Sequence, residues 1–354
     1  MKWSFHLARV AGIDVRVHAT FFLLLAWFGY AYYSDGGFGA MVVGLAFILL
    51  LFVCVLLHEF GHALAARAYG IHTPDITLLP IGGVARLERM PEKPWQELVV
   101  ALAGPAVNVV IALGLFIVLG KFFDLREVVD VGEEGGNLLT KLLAINVMLV
   151  LFNLVPAFPM DGGRVLRALL AMRLKRGQAT RIAAGVGQAI AIVFGLLGLL
   201  GHPMLLFIAV FVFFGAQQEA SYATRKETAE ETRVTAVLRP LPPLFRPGMG
   251  VLAAVQLAMR DARPVYPLVD TNLRPIGLVP AAALARALPG GLSQPVEALA
   301  EQVGEVLTAD ASIDEAFRLA NRSAQSDFAV INAAGQLVGL VTRQDLASVL
   351  VLPQ

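Results

Sequence analysis

Apolar runs of bilayer length, all confined to the first 220 residues, constrain this chain more than any other feature. A helix that crosses a membrane needs about 20 mostly apolar residues. Such runs extend from Val17 to Tyr33, from Ala40 past Leu57, from Leu98 to Gly120 and, more briefly, from Leu142 to Val155. A last block, Ile182 to Ala216, is too long for one crossing and is broken at Gly201-His202-Pro203, where proline removes a backbone donor and glycine permits a turn. Six spans are therefore expected. From Arg225 onward the composition becomes that of a water-soluble domain. Over the whole chain 57% of residues are hydrophobic and 16% charged, against roughly 45–50% and about 25% in soluble proteins, which argues against a wholly soluble enzyme. The expected organisation is a membrane domain over 1–220, a charged linker over 221–233 and a soluble domain over 234–354.

Basic residues set the expected orientation. With the N-terminus inside, the inner segments carry Lys2, Arg9, Arg16, Arg67, Arg86, Arg89, Lys93, Arg164, Arg167, Arg173, Lys175, Arg176 and Arg181. The outer loops carry Lys121, Arg126 and Lys141 beside the acids Asp124, Glu127, Asp130, Glu133 and Glu134. This is the positive-inside pattern, and an even number of spans returns the C-terminal domain to the cytosol. The basic start before the first apolar run resembles a secretory leader, but the run ends in Tyr-Tyr-Ser-Asp without a small-residue cleavage pattern, so it is read as a span. The formal net charge of +1 provides no basic field for nucleic acid. One cysteine, Cys54, excludes an intrachain disulfide framework and any metal site built on several thiolates.

A metal, if held, must sit on histidines and carboxylates, and polar groups inside apolar spans mark function or a pairing partner. The second span ends in His58-Glu59-Phe60-Gly61-His62. Histidines four residues apart project from one helical face and can share a cation, while Glu59, about 100° around the helix, can reach a metal-bound water without ligating. A catalytic zinc site takes three protein ligands and leaves one position open. Asp161, in Asn153-Leu-Val-Pro-Ala-Phe-Pro-Met-Asp161-Gly162-Gly163-Arg164, is the candidate third ligand, because two prolines bar a regular helix there and two glycines allow a tight return path. The competing reading makes Asp161 only a cap for a helix starting near Gly162.

Three motifs in order, His58 to His62, Ala103-Gly104-Pro105-Ala106-Val107-Asn108 and Asn153 to Arg164, resemble the site-2 protease family of intramembrane zinc metalloproteases over residues 1–220. The resemblance implies one zinc ion held by His58, His62 and Asp161, Glu59 as the catalytic acid/base, and Asn153 as a substrate- or oxyanion-binding residue; by its spacing alone, Asn153 can equally be an interhelical hydrogen-bonding group. It implies a transmembrane protein substrate in the lipid bilayer, such as a membrane-tethered transcription factor, an anti-sigma factor or a remnant signal peptide. The segment Ile76 to Leu87, with Gly82 and Gly83, is apolar and mildly β-like. It offers an edge for an extended substrate by strand addition, in agreement with the hairpin loop of that family; the alternative is a plain connection between spans. Cys54, one turn before His58, reads as a buried hydrophobe more than a ligand, His72 and His202 as solvated or interfacial, and Asn108 as a hydrogen-bond partner of a neighbouring helix.

After Arg233 the sequence repeats an order of helix, apolar strand, turn, strand and helix: Val251 to Leu288, then Ile313 to Leu350. Paired Gly-Leu-Val motifs make the two units resemble a tandem pair of cystathionine-β-synthase-type (CBS) modules, many of which bind adenine nucleotides such as ATP. In the second unit Thr342 and Asp345 match the positions that contact phosphate and ribose; the first unit has Pro280 and Ala283 there. The alternative is a dimerisation or docking module without ligand, and such pairs make a homodimer plausible. The expected fold is thus a six-span helical membrane protein with cytosolic termini followed by a soluble α/β CBS pair. The expected setting is a prokaryotic cytoplasmic membrane, with the active site near the cytosolic side. The leading function is intramembrane proteolysis modulated by the CBS pair; the alternative, a CBS-gated transporter or channel, lacks the internal membrane repeat that transporters usually show.

Overall fold

The computed structural model describes residues 3–80, 82–120, 137–287 and 294–351. The outer-loop charges from Lys121 to Glu134 invoked above lie outside the described residues. The chain divides into two compact units, Met1–Ala220 and Ser221–Gln354.

In the first unit, β1 (Ser4–Val10) and β2 (Ile13–His18) form an antiparallel hairpin. β2 alternates buried and half-buried residues, the period-2 signature of a strand with one face on a core. A 50-residue helix, α1 (Ala19–Ala68), follows and leads to β3 (Asp75–Leu79), which returns parallel to β2, and to β4 (Gly82–Ala85), antiparallel to β3. Among the described residues the sheet order is β1-β2-β3-β4, so β4 is an edge. Its inner face packs on the second half of α1: Ile13, Val15 and Ile76 against Phe60 and Ala63, and Val17 and Leu78 against Ile48 and Phe52. Anchoring by this sheet fixes the rotation of α1 about its axis and hence where His58 and His62 point.

Among the described residues four helices follow. They are α2 (Pro94–Leu119), which opens on proline, α3 (Leu138–Asn153), α4 (Asp161–Ala171) and α5 (Arg176–Leu199). A fifth, α6 (Pro203–Glu231), ends the unit and runs on to Glu231 through most of the expected linker. Of the described helices, α1, α2, α5 and α6 are long and apolar enough to cross a membrane, and α3 is a shorter apolar helix. The expectation of six spans differs from these four because α1 runs through two expected spans at once, leaving helical geometry only at Gly36 and Gly37, and because α3, the fourth expected span, has only 16 residues. The first expected span also begins two residues late: Val17 and His18 complete β2 instead, because Val17 pairs with Leu78 of β3. Large apolar side chains such as Ile117, Val118, Leu199 and Phe207 point outward, as lipid-facing residues do. Contacts between helices use small residues, with Ala183, Ala184, Ala191 and Ala216 buried and Gly187 against Ala157 and Ala216. Close backbone approach of this kind drives helix packing in lipid.

Among its described residues the second unit contains two three-stranded sheets. The first sheet joins β5 (Val265–Val269), β6 (Pro275–Pro280) and β7 (Glu301–Gln302), with α7 (Val251–Ala258) before it and α8 (Ala281–Ala287) after β6. The second sheet joins β8 (Leu307–Thr308), β9 (Asp327–Ile331) and β10 (Leu337–Thr342), flanked by α9 (Ile313–Arg322) and α10 (Arg343–Val351). β5 and β6, like β9 and β10, pair antiparallel. Each repeat thus folds in the order expected, around its own core: Phe245, Tyr266 and Val279 in the first, Ile313, Phe328 and Val341 in the second.

Candidate functional site

Three buried side chains from distant parts of the membrane unit converge. His58 Nε2 and His62 Nε2 stand 3.1 Å apart, and each lies 3.2 Å from Asp161 Oδ2. Among the described residues these form the one cluster of three His, Cys or acidic groups within ligating distance of one another. Their other ends show how they are held. His58 Nδ1 faces Asn108 Oδ1 at 2.5 Å, and His62 Nδ1 faces the Val100 carbonyl at 2.7 Å, so acceptors on α2 take the Nδ1 protons of both rings. Both Nε2 atoms are then left as lone pairs aimed at a carboxylate oxygen. Three acceptors so close repel unless a cation lies among them. A tetrahedral zinc ion with bonds of about 2.0–2.1 Å separates its ligands by roughly 3.3 Å, so the donor set fits such an ion.

Gly104 of α2 makes the convergence possible. A Cβ there would stand 2.2 Å from His62 Nε2 and 2.6 Å from His58 Nε2, inside the volume of the imidazoles. Asp161 is placed by the turn after α3, in which Ala157, Phe158 and Met160 are buried and a Cβ on Gly162 would meet the Val155 carbonyl at 2.2 Å. The helix cap is Met160, without a side-chain capping bond, while Asp161 is the first helical residue; its carboxylate turns to the imidazoles and not to the helix end.

A buried ionic network ties this turn to α2. Arg167 of α4 donates from Nε to Glu97 Oε1 at 2.7 Å and from Nη1 to Glu219 Oε2 at 3.0 Å, and its guanidinium lies over the Phe158 ring. Arg176 donates to Glu97 Oε2 at 3.0 Å. The helix that holds both histidine Nδ1 atoms is thereby clamped to the helix that starts with Asp161.

Glu59 is half-buried and faces β4. Its Oε2 accepts from the Ala85 N–H at 3.1 Å, and a Cβ on Gly83 would meet Glu59 Cγ at 2.6 Å. Arg86 N–H bonds the Asp75 carbonyl on the β3 side, so Ala85 and, two residues back, Gly83 turn their N–H groups to the open edge. Gly82, with φ +135°, adopts a backbone that a side chain disfavours. Asn153 is not brought to the cluster through any described contact: it ends α3 and donates to the Leu149 carbonyl of its own helix at 3.0 Å. Cys54 is buried and takes a hydrogen bond from Asn146, while His72 and His202 are exposed.

In sequence Asn108 reads as a generic interhelical hydrogen-bonding residue; in the structure its partners are His58 and Asn146. The bond from His62 to a carbonyl leaves no trace in sequence. Asn146, an amide in the middle of an apolar helix, and the pair Glu97 and Arg167 were discoverable by the rule that polar groups at membrane depth have named partners.

In the second unit Thr342 ends β10 and Asp345 lies in the first turn of α10. Asp345 accepts from the Thr342 N–H and hydroxyl at 2.8 and 2.7 Å and from Arg239 at 2.8 Å. Burial pushes its carboxyl up, but these hydrogen bonds outweigh burial and hold it below the usual range. A small cleft beside them is lined by Arg239, Arg263, Asp327 and Thr342 among others.

Comparison with known proteins places these features. The sequence pattern of peptidase family M50 matches residues 46–134 and 127–196, and that of the CBS domain matches 304–352. A zinc metalloprotease of Methanocaldococcus jannaschii is 32% identical over 98% of this chain and 96% of its own length. A Synechocystis protein classed with the zinc metalloproteases is 29% identical over 98% of this chain and 95% of its own. The solved structure of a site-2 protease from Methanocaldococcus jannaschii covers 62% of this chain and 95% of its own at 38% identity, with a TM-score of 0.45.

Proposed function

The chain belongs to peptidase family M50, the zinc metalloproteases of site-2 type, and we propose that His58, His62 and Asp161 hold its zinc while Glu59 moves the protons of peptide hydrolysis. The observation that carries this assignment is the convergence of three lone-pair donors, of which the two imidazoles are already committed to acceptors at their far ends. When bound, zinc supplies Lewis-acid polarisation of the scissile carbonyl and lowers the pKa of water toward 7. Glu59 accepts the proton of the attacking water and passes a proton to the leaving amine. The open edge of β4 aligns the substrate: the N–H groups of Gly83 and Ala85, with Gly82 leaving the approach clear, pair with a peptide unwound from its helix. A substrate carbonyl on Ala85 N–H displaces the Glu59 carboxylate, which is then free to take its proton. Asn153, at the start of the turn that leads to Asp161, exchanges its bond to Leu149 for one to the substrate backbone or the developing oxyanion.

The substrate is a transmembrane protein segment, of the kind found in a membrane-tethered transcription factor, an anti-sigma factor or a remnant signal peptide. Counting α1 as two spans parted at Gly36 and Gly37, together with α2, α3, α5 and α6, gives six crossings. Both termini and the active site then lie toward the cytosol, and the prokaryotic cytoplasmic membrane is the setting. Residues 1–220 form the catalytic domain, 221–233 the linker and 234–354 a CBS pair that modulates it. Thr342 and Asp345 bind the phosphate and ribose of an adenine nucleotide once Arg239 yields its bonds, and two copies pair through these modules. Membership of a peptidase family accounts for the same residues that a gated transporter would need, so that alternative is set aside.

The test is the metal content of purified wild type, Glu59→Gln and Asp161→Ala, with cleavage of a transmembrane peptide in proteoliposomes. Zinc near one per chain in wild type and Glu59→Gln, less in Asp161→Ala, and cleavage by wild type only are expected. A metal-free wild type, or cleavage by Glu59→Gln, sinks the assignment.

A further inference from the structure

Behind His58 a chain of hydrogen bonds runs away from the cluster and ends on a group that can only accept. Asn108 Oδ1 lies 2.5 Å from His58 Nδ1, Asn108 Nδ2 lies 2.8 Å from Asn146 Oδ1, and Asn146 Nδ2 lies 2.8 Å from the Leu142 carbonyl and 3.4 Å from Cys54 Sγ. Both asparagines are fully buried, so no water competes for their amides.

The direction of this chain follows from its far end. The Leu142 carbonyl accepts and never donates, so the end of the Asn146 amide that faces it is the NH₂. Asn146 Oδ1 is thereby turned to Asn108, which must answer with its own NH₂. Asn108 Oδ1 is left facing the imidazole, and His58 can meet it only with an Nδ1 proton. The Nε2 lone pair that points into the cluster is thus decided three side chains away, by a main-chain carbonyl of α3. Reversing either amide would set two acceptors, or two donors, face to face in a buried site, where each unmet group bears its full desolvation cost.

We propose that Asn146 is a positioning residue: by locking the Asn108 amide in one orientation it holds His58 in the tautomer that can ligate metal. The inference rests on the assignment of His58 as a ligand and adds to it the group that keeps the ligand ready. Outer-shell partners of metal-bound histidines change affinity by 10–100-fold, although they are usually one bond from the ring and not two.

The test uses the full chain in detergent, with Zn²⁺ affinity measured by competition against a chromophoric chelator and site geometry read from the visible spectrum of the Co²⁺-loaded protein. Asn146→Leu keeps the volume and removes the lock, since nothing then stops the Asn108 amide from turning over. A loss of Zn²⁺ affinity of roughly 10–100-fold and an altered Co²⁺ spectrum are expected. The double variant Asn108→Asp/Asn146→Leu puts at 108 a group that accepts from His58 whichever way it lies, so it should recover most of the affinity. Unchanged Zn²⁺ affinity in Asn146→Leu overturns the proposal, as does a double variant as weak as the single one, the result expected if Asn146 only glues helices together. Should Asn146→Leu not fold, the metal-free wild type still decides. Ring ¹⁵N shifts of labelled histidine, assigned by loss of one signal in His58→Gln, must show His58 protonated at Nδ1, and the opposite tautomer refutes the relay. A wild type that binds no zinc but shows the Nδ1 tautomer refutes the ligand assignment and leaves the relay standing, so the two failures are distinguishable.

Discussion

The two halves of this molecule hold their polar groups in opposite ways. In the membrane unit His58, His62, Asp161, Asn108, Asn146, Glu97 and Arg167 are all buried, and their tautomers and orientations follow from the partners they meet. In the soluble unit the cluster of Arg239, Thr342 and Asp345 is only part-buried, so water can replace any partner that leaves. A buried polar group deprived of its partner costs its full desolvation, whereas an exposed one costs little. Precision of placement in the first unit therefore comes with intolerance to substitution, and adaptability in the second with weak individual contacts.

The sharpest way to break this contrast is at Glu59. Glu59→Gln should lower the cleavage rate by roughly 10²–10⁴-fold in a proteoliposome assay while the metal content stays at the wild-type level; retained cleavage would remove Glu59 from the chemistry. Next is Gly104→Ala, which drives a methyl into both imidazoles. Zinc affinity should fall by roughly 10–100-fold, as for a lost outer-shell contact, with unfolding of the soluble unit unchanged; equal affinity would mean that α2 can retreat.

Arg167→Met then separates structure from chemistry. Stripping the buried Glu97 Oε1 of its guanidinium, with only Arg176 left on Oε2, should destabilise the membrane unit by about 3 kcal/mol, measured by unfolding in mixed micelles. Arg239→Ala, which removes a part-exposed ion pair with Asp345, should cost no more than about 1 kcal/mol. Similar losses for the two would erase the distinction drawn between the halves.

The smallest effect is the pH response of the soluble unit. Asp345 has a folded pKa below its unfolded value of about 3.9, so its contribution is complete above that value and is lost as pH falls through the lower, folded one. The unfolding midpoint of the soluble unit should drop below about pH 4, and Asp345→Asn should flatten that part of the profile; an unchanged slope would show that its bonds to Arg239 and Thr342 are not formed in solution.

Much of this was legible in the sequence because the signals are local or periodic. His58 and His62 share a face by helical spacing, the apolar runs mark helices, and the repeat of helix, strand, strand and helix in the second half follows from short apolar stretches parted by turns. Where the reading failed, a long-range contact was responsible. Val17 went to a strand because β3, some 60 residues on, pairs with it. The expected break between the first two spans is a local departure at Gly36 and Gly37 inside one helix, since glycine permits a bend without requiring a loop.

By itself the sequence determined which groups are available: two imidazoles on one helical face, an acid beside them, a second acid in a proline- and glycine-bound turn, and a soluble half with its own cores. Those are consequences of covalent order and of the period of a helix or a strand. Only the tertiary structure decided what each group does, because burial converts proximity into commitment. The Leu142 and Val100 carbonyls carry no chemical signature in a string of letters, and Gly104 stands there as one letter of a motif with no role attached, yet they settle where the histidine protons sit and how closely the donors approach.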